Sequence, residues 1–228
     1  MNLNFILDLL FPPRCLNCGV GTRPKEVVCA SCLNAVPKER TLFCGVCRAR
    51  LPQARKICHP RSAYILGTAA NYSQPVVKNL IHALKFKGTQ DAAIPLAKLL
   101  IDYTNRAVAL TGRETVVPIP LGPRRLRQRG YNQAGAIGKI FAAHFRLKYA
   151  PEILRRARHT RPQSDLHSLM ERETNVADCF ELAAPLPPKS RLLLIDDVVT
   201  SGSTFRAAAE TLHRGGVRNV LALAVARA

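Results

Sequence analysis

The sequence has no tryptophan, few acidic residues and no long apolar run. Aromatic side chains make up 6% of its 228 residues, and 15 Asp and Glu stand against 34 Lys and Arg, for a formal net charge of +19. Because a membrane helix needs about 18 consecutive apolar residues, which this chain lacks, we expect no membrane span. The few aromatics argue against sequence-specific stacking on nucleic-acid bases. The excess of positive charge predicts an anionic ligand or a polyanion as partner.

An export signal is also absent from the first residues. They lack a basic start and a small-residue cleavage site, and Asp8 lies within their apolar run. We therefore expect residues 1–14 to pack on the body of the protein as an amphipathic turn, and we expect a cytoplasmic protein. In that reducing compartment, paired cysteines more often bind metal or carry out redox chemistry than form structural disulfides.

The eight cysteines divide the chain into two parts. Seven of them precede residue 59, in a segment rich in Pro, Gly and Arg. Cys179 lies alone far downstream, and we expect it to be a buried apolar residue. From residue 64 onward, apolar runs alternate with amphipathic helical patterns. We predict a zinc-ribbon module at residues 1–62 and a larger α/β domain at residues 63–228.

The larger domain is predicted to contain a mostly parallel sheet with helices on both faces, because apolar strands alternate with helices along it. Strands are expected at residues 63–72, 114–120, 191–196 and 217–226, and helices from residue 75 and at residues 92–103, 133–145 and 204–213. His82 lies beside apolar residues on the first of these helices, and we expect it in the core or in an interface.

Cys15, Cys18, Cys29 and Cys32 form two CxxC pairs separated by ten residues. Each pair can present two thiolates to one tetrahedral Zn²⁺. A module of about 60 residues has little core of its own, so a structural zinc would contribute folding free energy. Redox chemistry is the alternative, but two pairs close together without a thioredoxin-like pattern favour the metal.

A second set of cysteines is one ligand short. Cys44 and Cys47 form a third pair, and Cys58 begins what would be a fourth, but Arg61 stands three residues later. His59 directly follows Cys58, and adjacent residues are awkward ligands for one ion. The sequence leaves open whether a second zinc binds, and whether the pairs are shared differently between two ribbons.

The segment LLLIDDVVTSGST, residues 192–204, joins a buried strand to a helix through a polar turn. Ligands of open α/β sheets bind at the carboxyl ends of strands. There, backbone N–H groups of residues 200–204 and the helix N-terminus favour a phosphate, and Gly202 permits its close approach. Asp196 and Asp197 can accept hydrogen bonds from paired sugar hydroxyls, so the segment predicts a ribose 5-phosphate site. A solvated acidic pair before a capped helix is the alternative.

A basic stretch lies at residues 116–161, which hold 11 basic side chains and one acidic. Within it, residues 116–135 are predicted to be a strand, an Arg-rich loop and a helix start. Arginines near Arg124 would bind a pyrophosphate through bidentate contacts. A solvated basic face or a nucleic-acid patch is the alternative. The polar residues 154–176 are expected to form a lid over the site or a connector.

These segments resemble the ComF family of competence proteins, whose members join an N-terminal double zinc ribbon to a type I phosphoribosyltransferase-like domain. The resemblance spans nearly the whole chain and rests on CLNCG, CASCL, FCGVCRARLP, HALKFKG, VPIPLGPRRLRQRGYNQA, TRPQSDL and LLLIDDVVTSGST. The last of these matches the phosphoribosyl pyrophosphate (PRPP) motif of that enzyme class. The resemblance implies binding of PRPP, with Mg²⁺, by Asp196, Asp197, Val198, Thr200, Ser201, Gly202, Ser203, Thr204 and Arg124.

Two hypotheses about function follow. In the preferred one, the protein binds PRPP and single-stranded DNA during DNA uptake in natural transformation, with a competence helicase or other transformation proteins as partners and with turnover left open. In the alternative, it is an active phosphoribosyltransferase of nucleotide or nucleobase metabolism without a DNA role. Asp196 and Asp197 would then be the catalytic pair, holding the ribose while a nitrogen nucleophile displaces pyrophosphate.

Overall fold

The computed structural model describes residues 12–51, 58–59, 62–156, 179–186 and 190–228. Three expectations fall on other residues: most of the N-terminal amphipathic turn, the lid or connector beyond residue 156, and Arg61. Within the described ranges, no helix combines the length and the apolar character needed to cross a membrane.

A seven-stranded sheet forms the centre of the protein. Its strands are β1 (Leu42–Cys44), β2 (Arg50–Leu51), β3 (Ile65–Asn71), β4 (Glu114–Pro118), β5 (Lys148–Tyr149), β8 (Arg191–Val199) and β9 (Asn219–Arg227). The strand order is β2-β1-β3-β9-β8-β4-β5. The last five strands in this order run parallel to one another. β1 pairs antiparallel with both of its neighbours, β2 and β3. A separate antiparallel pair joins β6 (Leu154–Arg156) to β7 (Phe180–Leu182).

Helices cover both faces of this sheet. They are α1 (Ala30–Asn34), α2 (Pro75–Phe86), α3 (Ala93–Ala107), α4 (Pro123–Arg129), α5 (Gln133–Phe145) and α6 (Ser203–Arg214). Successive residues of β8 point to opposite faces: Leu193 and Ile195 share a core cluster with α2, α3 and α5, whereas the cluster of Leu192 and Leu194 includes α6. A strand covered on both sides is apolar at successive positions. The mostly parallel α/β fold is confirmed.

Strand pairing joins the cysteine module to the larger domain. β1 lies antiparallel to β3, with Leu42 opposite Gly67. A Cβ atom at Gly67 would lie 2.8 Å from the Tyr103 ring, so glycine allows the ring to pack against β3. The Tyr103 hydroxyl donates a hydrogen bond to the carbonyl oxygen of Thr41 at 2.7 Å, directly before β1. The sheet therefore continues across the predicted boundary at residue 62.

Two elements differ from the predictions at the sites of interest. The Arg-rich segment after β4 was expected to be a loop but forms the helix α4, because Pro123 favours its first turn and Gly130, with a φ of 76°, ends it in the left-handed conformation. β8 runs to Val199 rather than ending at Asp196. The arginines therefore project from a helix, and both acids belong to the strand. The helix α5 has the predicted bounds.

Candidate functional site

The first cysteine cluster consists of Cys15, Cys18, Cys29 and Cys32. Their sulfur atoms all lie within 4.8 Å of one another, and Cys18 Sγ and Cys29 Sγ are 3.7 Å apart. Two thiolates bound to one tetrahedral Zn²⁺ at about 2.3 Å each would be about 3.8 Å apart. The cluster therefore fits a structural four-thiolate zinc site.

Backbone turns hold these thiols in place. Cys29 caps the N-terminus of α1, and its Sγ accepts the backbone N–H of Cys32 at 3.5 Å. Burial acts to raise the pKa of the Cys15 thiol, but backbone N–H groups of Cys18, Cys29 and Asn17 lower that pKa to about 6. Because zinc binds the thiolate form, this lowering of the pKa favours metal binding by Cys15.

The second cluster consists of Cys44, Cys47, Cys58 and His59, whose ligand atoms also lie within 4.8 Å of one another. Cys47 Sγ and Cys58 Sγ are 3.4 Å apart. The Nδ1 atom of His59 lies 3.2 Å from Cys58 Sγ and 3.5 Å from Cys44 Sγ. The donor set fits a zinc site with three thiolates and one imidazole.

The sequence leaves the fourth ligand of this second site open, and His59 lies where it could supply that ligand. Nδ1 is the ring nitrogen nearer to the backbone. Through this atom, the imidazole approaches the same group of thiols as the preceding residue, Cys58. Burial acts to raise the pKa of the Cys44 thiol, but the backbone N–H groups of Cys47 and Val46 lower it to about 6, together with Cys58 and His59. Cys44 ends β1, so this cluster is built onto the sheet.

Asp196 and Asp197 lie near the carboxyl end of β8. Next to them, the backbone N–H of Ile119 donates to the carbonyl oxygen of Ile195 at 2.8 Å, so the segment that leads into α4 starts beside the two acids. Asp197 is 5% exposed, and its Oδ1 forms an ion pair with Lys85 Nζ at 2.9 Å. A buried carboxylate is thus compensated by a cation from α2.

Asp196 differs from its neighbour. It is half-buried, and its Oδ1 accepts the backbone N–H of Asp197 at 2.8 Å. Burial and the adjacent Asp197 charge raise the pKa of Asp196 to about 8, although that N–H and the charges of Lys85 and Arg156 act in the opposite direction. The two adjacent acids thus differ in surroundings: the pKa of Asp196 is raised, while Asp197 is held in an ion pair with Lys85.

The turn at residues 200–202 leads from β8 into α6. Gly202 has a φ of 74°, and a Cβ atom there would lie 2.7 Å from the Tyr64 hydroxyl, so both conformation and packing favour glycine. Ser201 Oγ donates to Ser203 Oγ at 2.9 Å. Thr200 and Ser201 are exposed, and the remaining predicted residues Val198, Ser203 and Thr204 are half-buried. The turn thus presents hydroxyls and the positive end of a 12-residue helix at one edge of the sheet.

Two cations near the acids were not singled out from the sequence. Lys85 lies in the segment HALKFKG, which gave a signal for its importance. Arg156 ends β6, and its guanidinium lies 5.5 Å from the centre of the Phe180 ring. No spacing pattern in the sequence indicates that Arg156 comes near β8. The predicted Arg124 is exposed on α4.

Arg48 connects the second cysteine cluster to the turn before α6. It directly follows Cys47, and its Nη2 donates a hydrogen bond to the carbonyl oxygen of Ser201. Tyr64, just before β3, donates to the carbonyl oxygen of Gly202 at 3.2 Å. Arg48 and Tyr64, which lie on either side of β2 in the sequence, thus donate hydrogen bonds to the backbone of the turn.

Two further predictions concern the burial of His82 and Cys179. His82 is exposed, which excludes the core, and its place in an interface stays a prediction; it lies beside the apolar stripe of α2, with its ring 5.0 Å from that of Phe86. Cys179 is 2% exposed, which confirms the expectation of a buried cysteine.

Comparison with known proteins places the chain in a family. Residues 6–61 match the double zinc ribbon domain. The chain is 30% identical over 200 residues to the DNA utilization protein YhgH of Escherichia coli (strain K12), covering 85% of this chain and 87% of the relative. It is 28% identical over 226 residues to Competence protein F of Haemophilus influenzae, covering 94% and 97%. It is 25% identical over 197 residues to Competence protein ComFC of Streptococcus pneumoniae, covering 86% and 80%. With matches of this extent and with its cysteine clusters, the chain belongs to the ComF family.

Proposed function

We propose that this protein binds PRPP at the carboxyl end of β8 and binds single-stranded DNA in DNA uptake or utilisation. The observation that carries the PRPP site is the position of Asp196 and Asp197 directly before the glycine turn and the N-terminus of α6. The acids, the turn and the helix end supply the groups that a phosphorylated pentose needs, in the order in which the sugar presents them.

Each part of PRPP has a counterpart at this edge. The 5-phosphate is bound by backbone N–H groups of the turn, by the hydroxyls of Ser201 and Ser203, and by the positive end of α6. The ribose hydroxyls donate hydrogen bonds to the carboxyl groups of Asp196 and Asp197. The pyrophosphate binds the cations near the acids, Lys85 and Arg156, with α4 adding Arg124. Mg²⁺ that accompanies PRPP would neutralise part of the pyrophosphate charge.

Single-stranded DNA as a second ligand is supported by the charge and by the relatives. The helix α4 displays Arg124, Arg125 and Arg127 to solvent, within a chain of net charge +19. Relatives carry the names DNA utilization protein and Competence protein. Contacts of this kind bind phosphates and weaken steeply with salt. Transformation proteins such as a competence helicase are the proposed protein partners.

Titration calorimetry with PRPP and Mg²⁺ tests the PRPP site. Asp197→Asn removes the charge that Lys85 compensates and an acceptor for the ribose, so we expect PRPP affinity to fall about tenfold or more. Asp102→Asn is the matched control, because Asp102 also pairs with a lysine, Lys98 at 3.2 Å, on the exposed side of α3. Equal affinities in the two variants would contradict the site.

Phosphoribosyl transfer is the second candidate function, favoured by the two adjacent acids of β8 with the cation Lys85 beside them. In this reaction a nitrogen nucleophile forms a bond to ribose C1 as the bond from C1 to the pyrophosphate oxygen breaks, and pyrophosphate leaves with the electron pair. A screen for pyrophosphate release across candidate acceptors, with and without single-stranded DNA, tests it. Release above the level of Asp197→Asn supports turnover, and no release with any acceptor argues for a binding role alone.

A further inference from the structure

The C-terminal ends of α2 and α4 meet in an exposed aromatic patch made of His82, Phe86 and Arg129. Phe86 is 66% exposed, more than any other large apolar side chain among the described residues. The His82 ring, one turn earlier on α2, is 5.0 Å from the Phe86 ring and tilted by 46°. The Arg129 guanidinium lies over the Phe86 ring, 5.3 Å from its centre. Three flat groups thus lie together at the surface.

Hydrogen bonds fix this patch beside the acidic pair. Arg129 Nη1 donates to Gln133 Oε1 at 2.9 Å, and Gln133 is 3% exposed. The Tyr131 hydroxyl donates to the carbonyl oxygen of Leu84. Lys85, the residue before Phe86, pairs with Asp197. The end of α2 is therefore held against both the start of α5 and the end of β8.

We propose that this patch is a stacking surface for a base of single-stranded DNA. Aromatic rings and guanidinium planes stack on bases of any sequence, because every base has a π face. An exposed phenyl ring leaves apolar area in water that a stacked base would cover. The proposal rests on the DNA binding proposed above and assigns the residues that contact bases.

The surroundings of the patch favour DNA over an apolar protein surface. Exposed cations flank it, with Lys87 after α2 and Arg125 and Arg127 on α4. Among the described residues, α4 contributes one exposed large apolar side chain, Leu126, which is 42% exposed. A small patch of flat groups among cations suits a base linked to phosphates, whereas a protein interface needs a wider apolar centre.

Fluorescence anisotropy with two labelled strands of equal length, oligothymidine and its abasic counterpart, tests the proposal. The two strands carry the same phosphates, so only the first can stack. We expect Phe86→Ala to weaken oligothymidine binding on the order of tenfold and to leave abasic binding and the salt dependence unchanged. Phe86→Trp should retain oligothymidine affinity. Ile94→Ala is the matched control, because Ile94 is 53% exposed on α3 and should have no effect.

Each other outcome overturns the stacking surface. Equal wild-type affinity for the two strands means that phosphates alone are bound, and no binding of either strand contradicts the DNA role itself. If Phe86→Ala loses affinity for both DNA strands to the same extent and also loses thermal stability, Phe86 has a structural role instead. PRPP affinity, measured on the same variant, should be unchanged, so failure here is distinguishable from failure of the PRPP site.

Discussion

The first cysteine cluster has four thiols and lies against helices, whereas the second has three thiols and an imidazole and lies on the sheet. Near the first cluster, Asn79 of α2 donates to the carbonyl oxygen of Leu16 at 3.1 Å. Near the second, Cys44 ends β1 and Arg48 contacts Ser201. Among the described residues, the second cluster is therefore linked to the proposed phosphate turn through Arg48.

The two clusters also differ in charge and in what else supports their surroundings. With Zn²⁺ bound, four thiolates leave a net charge of −2, and three thiolates with a neutral imidazole leave −1. β1 is already fastened by pairing with β3 and by Tyr103, while the segment around Cys15 and α1 forms no part of the sheet. The first zinc should thus matter more for folding, and the second more for the geometry of the ligand edge.

Loss of the first zinc should have the largest effect. Cys15 is 3% exposed, and Cys15→Ser removes one of the four thiolates. We expect zinc content to fall from two ions per chain to one and the melting temperature to fall on the order of 10 °C, because metal binding contributes folding free energy. Zinc analysis and thermal melts measure this, and Cys179→Ala should retain both ions. Retention of both ions in Cys15→Ser would contradict the assignment.

Loss of the second zinc should cost less stability. His59→Ala leaves three thiols, so we expect the second ion to be lost to a weak chelator while the sheet remains folded through β1 and β3. His59→Cys should bind two ions as firmly as the wild type, since a thiolate replaces the imidazole. If His59→Ala keeps two ions under that chelator, His59 is not a ligand, and the comparison between clusters fails.

The contact between the second ribbon and the turn should affect ligand affinity modestly. Arg48→Ala removes the hydrogen bond to the Ser201 carbonyl oxygen, so we expect PRPP affinity to fall about threefold to tenfold with zinc content unchanged. Arg50→Ala is the matched control, because Arg50 is also an exposed arginine of this ribbon. Equal effects of the two substitutions would indicate general electrostatics rather than positioning of the turn.

Asp196 should in addition give the stability of the protein a pH dependence. Its pKa is raised from 3.8 to about 8 in the folded chain, so between these values the folded state holds a proton that the unfolded chain releases. The resulting stabilisation is present at low pH and is lost as pH rises towards 8. The melting temperature of the wild type, minus that of Asp196→Asn, should therefore fall across this range. The subtraction cancels zinc loss in acid, and a flat or rising difference would contradict the raised pKa.

The parts that follow from local pattern were predictable from the sequence, and those that need distant contacts were not. The apolar run before Asp196 and the helical period of α5 fix those elements locally, and the spacing of Cys15, Cys18, Cys29 and Cys32 indicates their cluster. In the sequence, the adjacency of Cys58 and His59 makes them look like awkward ligands for one ion. The orientation of the His59 ring, which brings Nδ1 near the thiols, cannot be predicted from chain order. The charge of Arg156 acts on Asp196 from the separate β6–β7 pair, a proximity that local sequence pattern does not indicate.

The central claim is that the carboxyl end of β8 binds a phosphorylated pentose. A crystal structure determined with PRPP and Mg²⁺ tests it most directly. We expect ribose density at Asp196 and Asp197 and the 5-phosphate at the backbone N–H groups of Ser203 and Thr204. If PRPP is present at a saturating concentration and its density lies elsewhere on the protein, the claim is contradicted. It is also contradicted if Asp197 remains paired with Lys85 and points away from the sugar.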